Sequence, residues 1–210
     1  MCGRYALYSS ADDLVEVFRI VNPAVWEPRW NVAPTNLVPV LLRGGEVRTM
    51  KWGLVPSWSK DGRPFINARA DGLFDKPSFR SAARKRRCVV LADGFYEWRK
   101  EGKQRFPLLC RRRDRRPLAM AGVWEPAREG PPTFAVVTTE ANALMAPVHD
   151  RMPVLLDAEG VDAWLDGTAE PADLAALLCP CDPADFELVP VSPRVNDVKN
   201  EGPELLSPPC

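Results

Sequence analysis

The sequence predicts an α+β fold: a single domain of curved, mainly antiparallel β-sheet, barrel-like, with a few flanking helices. Three observations lead there. Twenty-two prolines are spread along the 210 residues instead of gathering in one linker, which excludes long helices from most of the chain. Short apolar runs alternate with turns, the pattern of many short strands with helices set around them. A composition of 46% hydrophobic and 27% charged residues suits one domain with a sizeable core, or at most two small ones.

Taken in order, the strand-like runs are Arg4–Tyr8, Leu37–Leu42, Glu46–Trp52, Cys88–Ala92, Phe95–Arg99, Arg105–Arg112, Leu118–Trp124, Thr133–Thr139, Met152–Leu156 and Phe186–Val191. Gly44-Gly45 and Glu101-Gly102-Lys103 fall between pairs of them as hairpin turns. Ser10 is placed to cap a helix over Ala11–Ile20, where Leu14, Val17 and Phe18 recur at helical spacing. Ala141–Met145, Val161–Leu165 and Pro171–Leu178 are the other helical segments. The main domain is assigned to residues 1–191. Residues 192–210, rich in proline and polar groups, are expected to form a loosely attached tail.

No apolar run approaches the roughly 20 residues of a membrane span, and no basic segment followed by an apolar one opens the chain. The expected compartment is therefore the cytoplasm, with no membrane partner. Six cysteines at positions 2, 88, 110, 179, 181 and 210 are too irregular for a secreted disulfide framework. Net charge is zero, but the halves differ. Residues 1–116 carry 24 Lys and Arg against 12 Asp and Glu, and residues 117–210 carry 4 against 16. That asymmetry fits a basic face that steers a polyanion, and equally a basic half paired with the acidic half inside the fold.

Cys2, directly behind Met1, carries the most chemistry. Once Met1 is removed, the residue holds an α-amine and a thiol on adjacent carbons, both nucleophiles near neutral pH. Such a 1,2-aminothiol takes an aldehyde as an imine and then closes sulfur onto the same carbon as a thiazolidine. The plain alternative is an incidental residue on a frayed end. Glu97, in Gly94-Phe95-Tyr96-Glu97-Trp98, is an acid among aromatics. Strand alternation puts Phe95, Glu97 and Arg99 on one face and Tyr96 and Trp98 on the other. Desolvation there raises a carboxyl into the range of general acid–base work, whereas an exposed or ion-paired glutamate would do nothing of the kind.

His149 is the one histidine and sits in a proline-bracketed loop, where catalytic groups often lie. Asn67 offers a donor and an acceptor, and Arg69 two residues on offers a phosphate-binding guanidinium. Trp52 and Trp58 flank a glycine–proline turn, suited to stacking unpaired bases or to ordinary packing. The runs Arg84–Arg87 and Arg111–Arg116 read as general electrostatic surface. Cys179-Pro180-Cys181 has the wrong spacing for zinc, and no metal or cofactor is expected.

Together these pieces resemble the SOS response-associated peptidase family, whose members act on abasic sites in single-stranded DNA. The resemblance rests on seven motifs in order: Met1-Cys2-Gly3-Arg4, Trp30-Asn31-Val32-Ala33-Pro34-Thr35, Trp52-Gly53-Leu54-Val55-Pro56, Asn67-Ala68-Arg69, Gly94-Phe95-Tyr96-Glu97-Trp98, Thr138-Thr139-Glu140-Ala141-Asn142 and His149-Asp150-Arg151-Met152-Pro153. It implies a monomeric enzyme, active near the nucleoid, that bonds its mature N-terminal cysteine to a ring-opened abasic deoxyribose. Cys2 is then the nucleophile, Glu97 the proton shuttle, His149 the group that helps open the sugar, and Asn67 the group that orients the amine. Arg4, Arg69 and Arg151 would hold phosphates near the lesion, with Trp52 and Trp58 beside the strand. Met1 would leave by a general aminopeptidase or by the protein's own site. Asp71 stands where the family commonly has glutamate, which leaves any role of the longer side chain in doubt. Two other readings stay open. One is an N-terminal-nucleophile amidase or peptidase acting on other substrates. The other is a non-enzymatic single-strand-binding module.

Overall fold

The computed structural model describes residues 2–22, 26–59 and 62–208. Among them the chain runs β1 (Tyr5–Leu7), α1 (Ala11–Phe18), β2 (Arg29–Val32), β3 (Leu37–Leu41), β4 (Val47–Trp52), β5 (Asn67–Arg69), α2 (Arg80–Lys85), β6 (Arg87–Ala92), β7 (Gly94–Glu101), β8 (Gln104–Arg112), β9 (Leu118–Glu125), β10 (Thr133–Glu140), β11 (Arg151–Pro153), β12 (Leu155–Leu156), α3 (Ala158–Leu165), α4 (Pro171–Ala175) and β13 (Phe186–Pro190).

Two sheets carry the architecture. In the larger, β4, β3, β6, β9 and β10 pair in a closed ring, because β10 bonds both β9 and β4. Strands β5 and β11 add to β10, and β12 adds to β9. The second sheet runs β13-β8-β7-β1-β2. Pairing is antiparallel apart from β10 with β4 and β10 with β5, which are parallel. The expected barrel-like, mainly antiparallel α+β domain is what the chain adopts. Valine, leucine and alanine of β6 and β9 are buried on both faces, since one side fills the barrel and the other lies under α2 and α3.

The turn from β6 into β7 admits little else than glycine. A Cβ on Gly94 would lie 2.8 Å from the carbonyl oxygen of Cys110 on β8. Ser10 caps α1 as expected: its side chain accepts from Asp13 N–H while the Asp13 carboxylate bonds back to Ser10 N–H. The helix ends at Phe18, two residues early, because Arg19 turns left-handed. Ala141–Met145 is a set of turns instead of a helix, the expected strand Met152–Leu156 divides into β11 and β12, and the short strands β2 and β5 were not anticipated.

Residues 192–208 correct the expectation of a loose tail. Val195 and Leu205 are fully buried, each within a short 3₁₀ turn. Asn31 on β2 donates to the carbonyls of Asp197 (3.0 Å) and Asn200 (2.9 Å). Glu201 accepts from Trp30 N–H at 2.8 Å and pairs with Arg29 at 2.6 Å. Pro193 and Pro203 open the two 3₁₀ turns without detaching the chain.

The charge asymmetry is partly consumed inside the fold. Arg29–Glu201, Arg86–Glu125, Arg111–Glu187 and Arg115–Glu187 join the basic half to the acidic one. Arg87 is buried and donates to the last carbonyls of α2 and α3, at Ala83, Trp164 and Asp166. The two basic runs are therefore in good part structural.

Candidate functional site

The site begins with register. Tyr5 pairs with Phe95 across β1 and β7, and Tyr96 N–H donates to Arg4 O at 2.9 Å. Continued toward the N-terminus, that antiparallel register carries the first residues past Glu97. From the barrel side, β5 lies parallel to β10 with Asn67 beside Val136, which aims the Asn67 amide at the same place. Its Nδ2 donates to the carbonyl of Cys2 at 2.8 Å. Cys2, Asn67 and Glu97 thus meet where the two sheets abut.

Burial sets the chemistry. Glu97 is 5% exposed, and desolvation pushes its carboxyl up to about 7. It changes charge near neutral pH, as a group that both gives and takes protons must. The Cys2 thiol is fully buried and pushed up to about 12, first by desolvation and then by the neighbouring Glu97. At neutral pH the sulfur is therefore a thiol, not a thiolate. Among the described residues, Asn67 Oδ1, Tyr5 Oη, Arg151 Nε and Arg4 Nε are buried without a hydrogen-bond partner.

His149 reaches the site on the loop between β10 and β11. Asn142 builds that loop: its Oδ1 accepts from Met145 N–H at 3.0 Å, and Met145 O accepts from His149 N–H at 2.9 Å. Burial, with Lys100 nearby, holds the imidazole below its ordinary value, so the ring is neutral at pH 7. Nδ1 is 3.0 Å from Arg151 N–H and 2.8 Å from Asp150 Oδ1. A neutral ring cannot serve both through one nitrogen as acceptor and donor. Accepting from the backbone at Nδ1 leaves the proton of the neutral ring on Nε2. Asp150 also raises Glu97, which ties the histidine loop to the acid.

The expected phosphate and base contacts divide. Trp58 is exposed, at 58%. Trp52 is fully buried, its indole donating to Ile66 O at 2.9 Å and its ring packed on Tyr5 and Phe134, so it cannot stack a base. Arg69 is exposed and gripped at two points by Asp71. Arg151 is buried, bonded to Thr138 O and to Asp71 at 3.2 Å, so phosphate contact through it requires Asp71 to yield. Arg4 is half-buried, with one guanidinium nitrogen donating to Asn31 Oδ1 (2.7 Å) and Val195 O (2.8 Å) while its plane lies over Trp98. Among the described residues no three His, Cys, Asp or Glu side chains converge in a manner that could hold a metal ion. No described helix is long and apolar enough to cross a membrane.

Comparison with known proteins shows the family. The sequence profile described as SOS response associated peptidase (SRAP) covers residues 1–198. The chain belongs to the SRAP family. The abasic site processing protein YoqW of Bacillus subtilis (strain 168) is 40% identical over 98% of this chain and 99% of its own. YedK of Escherichia coli (strain K12), also called an abasic site processing protein, is 33% identical over 99% of this chain and 100% of its own. A crystal structure of a protein from Bacteroides thetaiotaomicron superposes with a TM-score of 0.86 at 26% identity, covering 99% of each chain.

Within this SRAP domain, three residues have contacts that were not anticipated from the sequence. Asp71 links Arg69 to Arg151, and the shorter aspartate suffices to reach both. Asn31 ties Arg4 to the C-terminal segment. Thr138, fully buried, supplies the carbonyl that turns Arg151 inward. Asp71 carried a signal in its position after Asn67-Ala68-Arg69. Asn31 and Thr138 stand in quoted motifs, but their partners were not legible: Asn31 reaches Asp197 and Asn200 across 166 and 169 residues, and Thr138 reaches Arg151 across 13.

Proposed function

We propose that this protein processes abasic sites in single-stranded DNA by bonding covalently, through Cys2, to the ring-opened deoxyribose. The observation that carries this reading is a buried acid titrating near 7 beside Cys2 and the Asn67 amide. The reading requires loss of Met1, by an aminopeptidase or by this same site. The α-amine then attacks the aldehyde. A carbinolamine forms, Glu97 protonates its hydroxyl, and water leaves to give the imine. The thiol next adds to the imine carbon, its proton passing to Glu97 and on to nitrogen, which closes the thiazolidine. A thiol held near 12 is a poor first nucleophile, and this favours amine first and sulfur second. Asn67 orients the terminal residue. His149, neutral with a proton on Nε2, is suited to assist opening of the sugar hemiacetal.

The test is intact-mass spectrometry of the purified protein before and after exposure to a single strand bearing one abasic site. The expected product is protein lacking Met1 plus the strand less one water, resistant to denaturation and absent from Cys2→Ala. An adduct that survives Cys2→Ala, or forms with Met1 still attached, overturns the assignment. Acylation by small amides with indifference to DNA would replace it with an N-terminal-nucleophile amidase. Salt-sensitive, fully reversible binding that does not need Cys2 would leave a single-strand-binding module.

A further inference from the structure

Strand β7 does not stop at the site. Beyond Glu97 it continues with β8 into a hairpin whose outer part, residues 99–106, stands in solvent. Phe95, Glu97 and Arg99 share one face of β7, and across the ladder Cys110, Leu108 and Phe106 stand opposite them in that order. The inner two pairs are buried, Phe95 and Cys110 in the same core cluster as Cys2. The third pair, Arg99 and Phe106, is where the same face emerges from the protein. Phe106 is 37% exposed, and the Arg99 side chain 48% exposed. Arg99, Lys100, Lys103 and Arg105 give this short tip four cations against one acid, Glu101, which pairs with Arg99 at 2.8 Å. β7 runs unbroken from Glu97 into this tip, so Arg99 and Phe106 are the next pair outward on the face of the acid.

An exposed aromatic ring ringed by cations, on the same face as a buried acid and one pair further out, suits an unpaired base with its phosphates. Two residues along a strand span about 7 Å. That is about twice the ~3.4 Å rise per nucleotide of a duplex strand, so a base reaching Phe106 from a lesion at Glu97 must leave its stack. We propose that Phe106 is the platform on which the unpaired base next to the lesion stacks, with the cations of the β7–β8 tip holding its phosphates. This rests on the reading that the site receives an abasic strand.

The test avoids the covalent step. Fluorescein-labelled single strands carry a tetrahydrofuran spacer, which has no aldehyde, at the lesion position. A second set also lacks the base on the 5′ side or on the 3′ side. Phe106→Ala and Phe106→Leu are expected to weaken binding of the single-spacer strand roughly 5- to 150-fold, with Phe106→Trp near wild type. Deleting the neighbouring base on one side should cost the wild-type protein a similar factor and cost Phe106→Ala almost nothing. That non-additivity on either side supports the platform. Equal losses in both proteins on both sides, or unchanged binding by Phe106→Ala, overturn it. Failure of Cys2 to form an adduct with an aldehyde-bearing strand would strike the crosslinking reading alone, since the spacer series does not use it.

Discussion

Two polar clusters flank β1, and they differ in how completely they are satisfied. Around Asn31, the side-chain oxygen accepts from Arg4, and the amide donates to Asp197 and Asn200 carbonyls. Around Cys2, Asn67 spends its amide on one carbonyl while its oxygen has no partner, and Tyr5 Oη and Arg151 Nε are likewise unsatisfied. Orphaned buried polar atoms cost about 1–3 kcal/mol each, so a fold retains them where something else is gained. The closed cluster holds the chain together, and the open one leaves buried polar atoms unmet. Arg4 belongs to both, since its Nε is also without a partner.

The hardest blow to this contrast is Glu97→Gln. It should slow adduct formation roughly 100- to 10,000-fold, the usual share of a positioned acid–base group. Its stability should move the other way. In the wild-type fold the carboxyl titrates near 7 instead of the usual 4.5, so the folded state holds its proton longer than the unfolded chain. Wild-type stability therefore falls as pH rises from about 4.5 through about 7. Above that range Glu97→Gln should be the more stable protein, by on the order of 3 kcal/mol, with the difference closing below the lower limit. Thermal melts at acid pH and at pH above neutrality check this, and a less stable variant at alkaline pH would place Glu97 in the structural group.

Asn31→Ala probes the closed cluster and should show the reverse profile. It leaves buried carbonyls unmet, lowering stability by about 2–3 kcal/mol, and it should open residues 192–208 to limited proteolysis. Urea midpoints and protease mapping read both effects. Rapid adduct formation with a loosened C-terminal segment would mean the two clusters are separable. The smallest effect concerns Asp71, which occupies Arg69 and Arg151 together. Asp71→Asn should tighten single-strand binding a few-fold and steepen its salt dependence by about 0.7 per guanidinium released to a phosphate. Weaker binding would show that the carboxylate positions the arginines.

What could be read in advance follows the range of the interaction. Strand runs and the Ser10 cap depend on neighbours within a few residues, and they were legible. Glu97 could be recognised because its aromatic neighbours are adjacent in sequence. Trp52 and Trp58 lie six residues apart in similar company, and only the tertiary fold separates the buried ring from the exposed one. The proline-rich end misled for the same reason. Its composition reports a lack of helix, whereas its attachment comes from Asn31 and Arg29, far upstream. The basic half likewise reads as surface until Glu125, Glu187 and Glu201 arrive from the other half.

The seat of Cys2 also has a history in time. Arg4 is moored to Val195, and β2 beside it to residues 197–201. A ribosome delivers the first residue of a protein long before the last. Here Arg4, beside Cys2, is made 191 residues before the carbonyl that moors it. A chain cut short of Val195 would carry Cys2 without this brace.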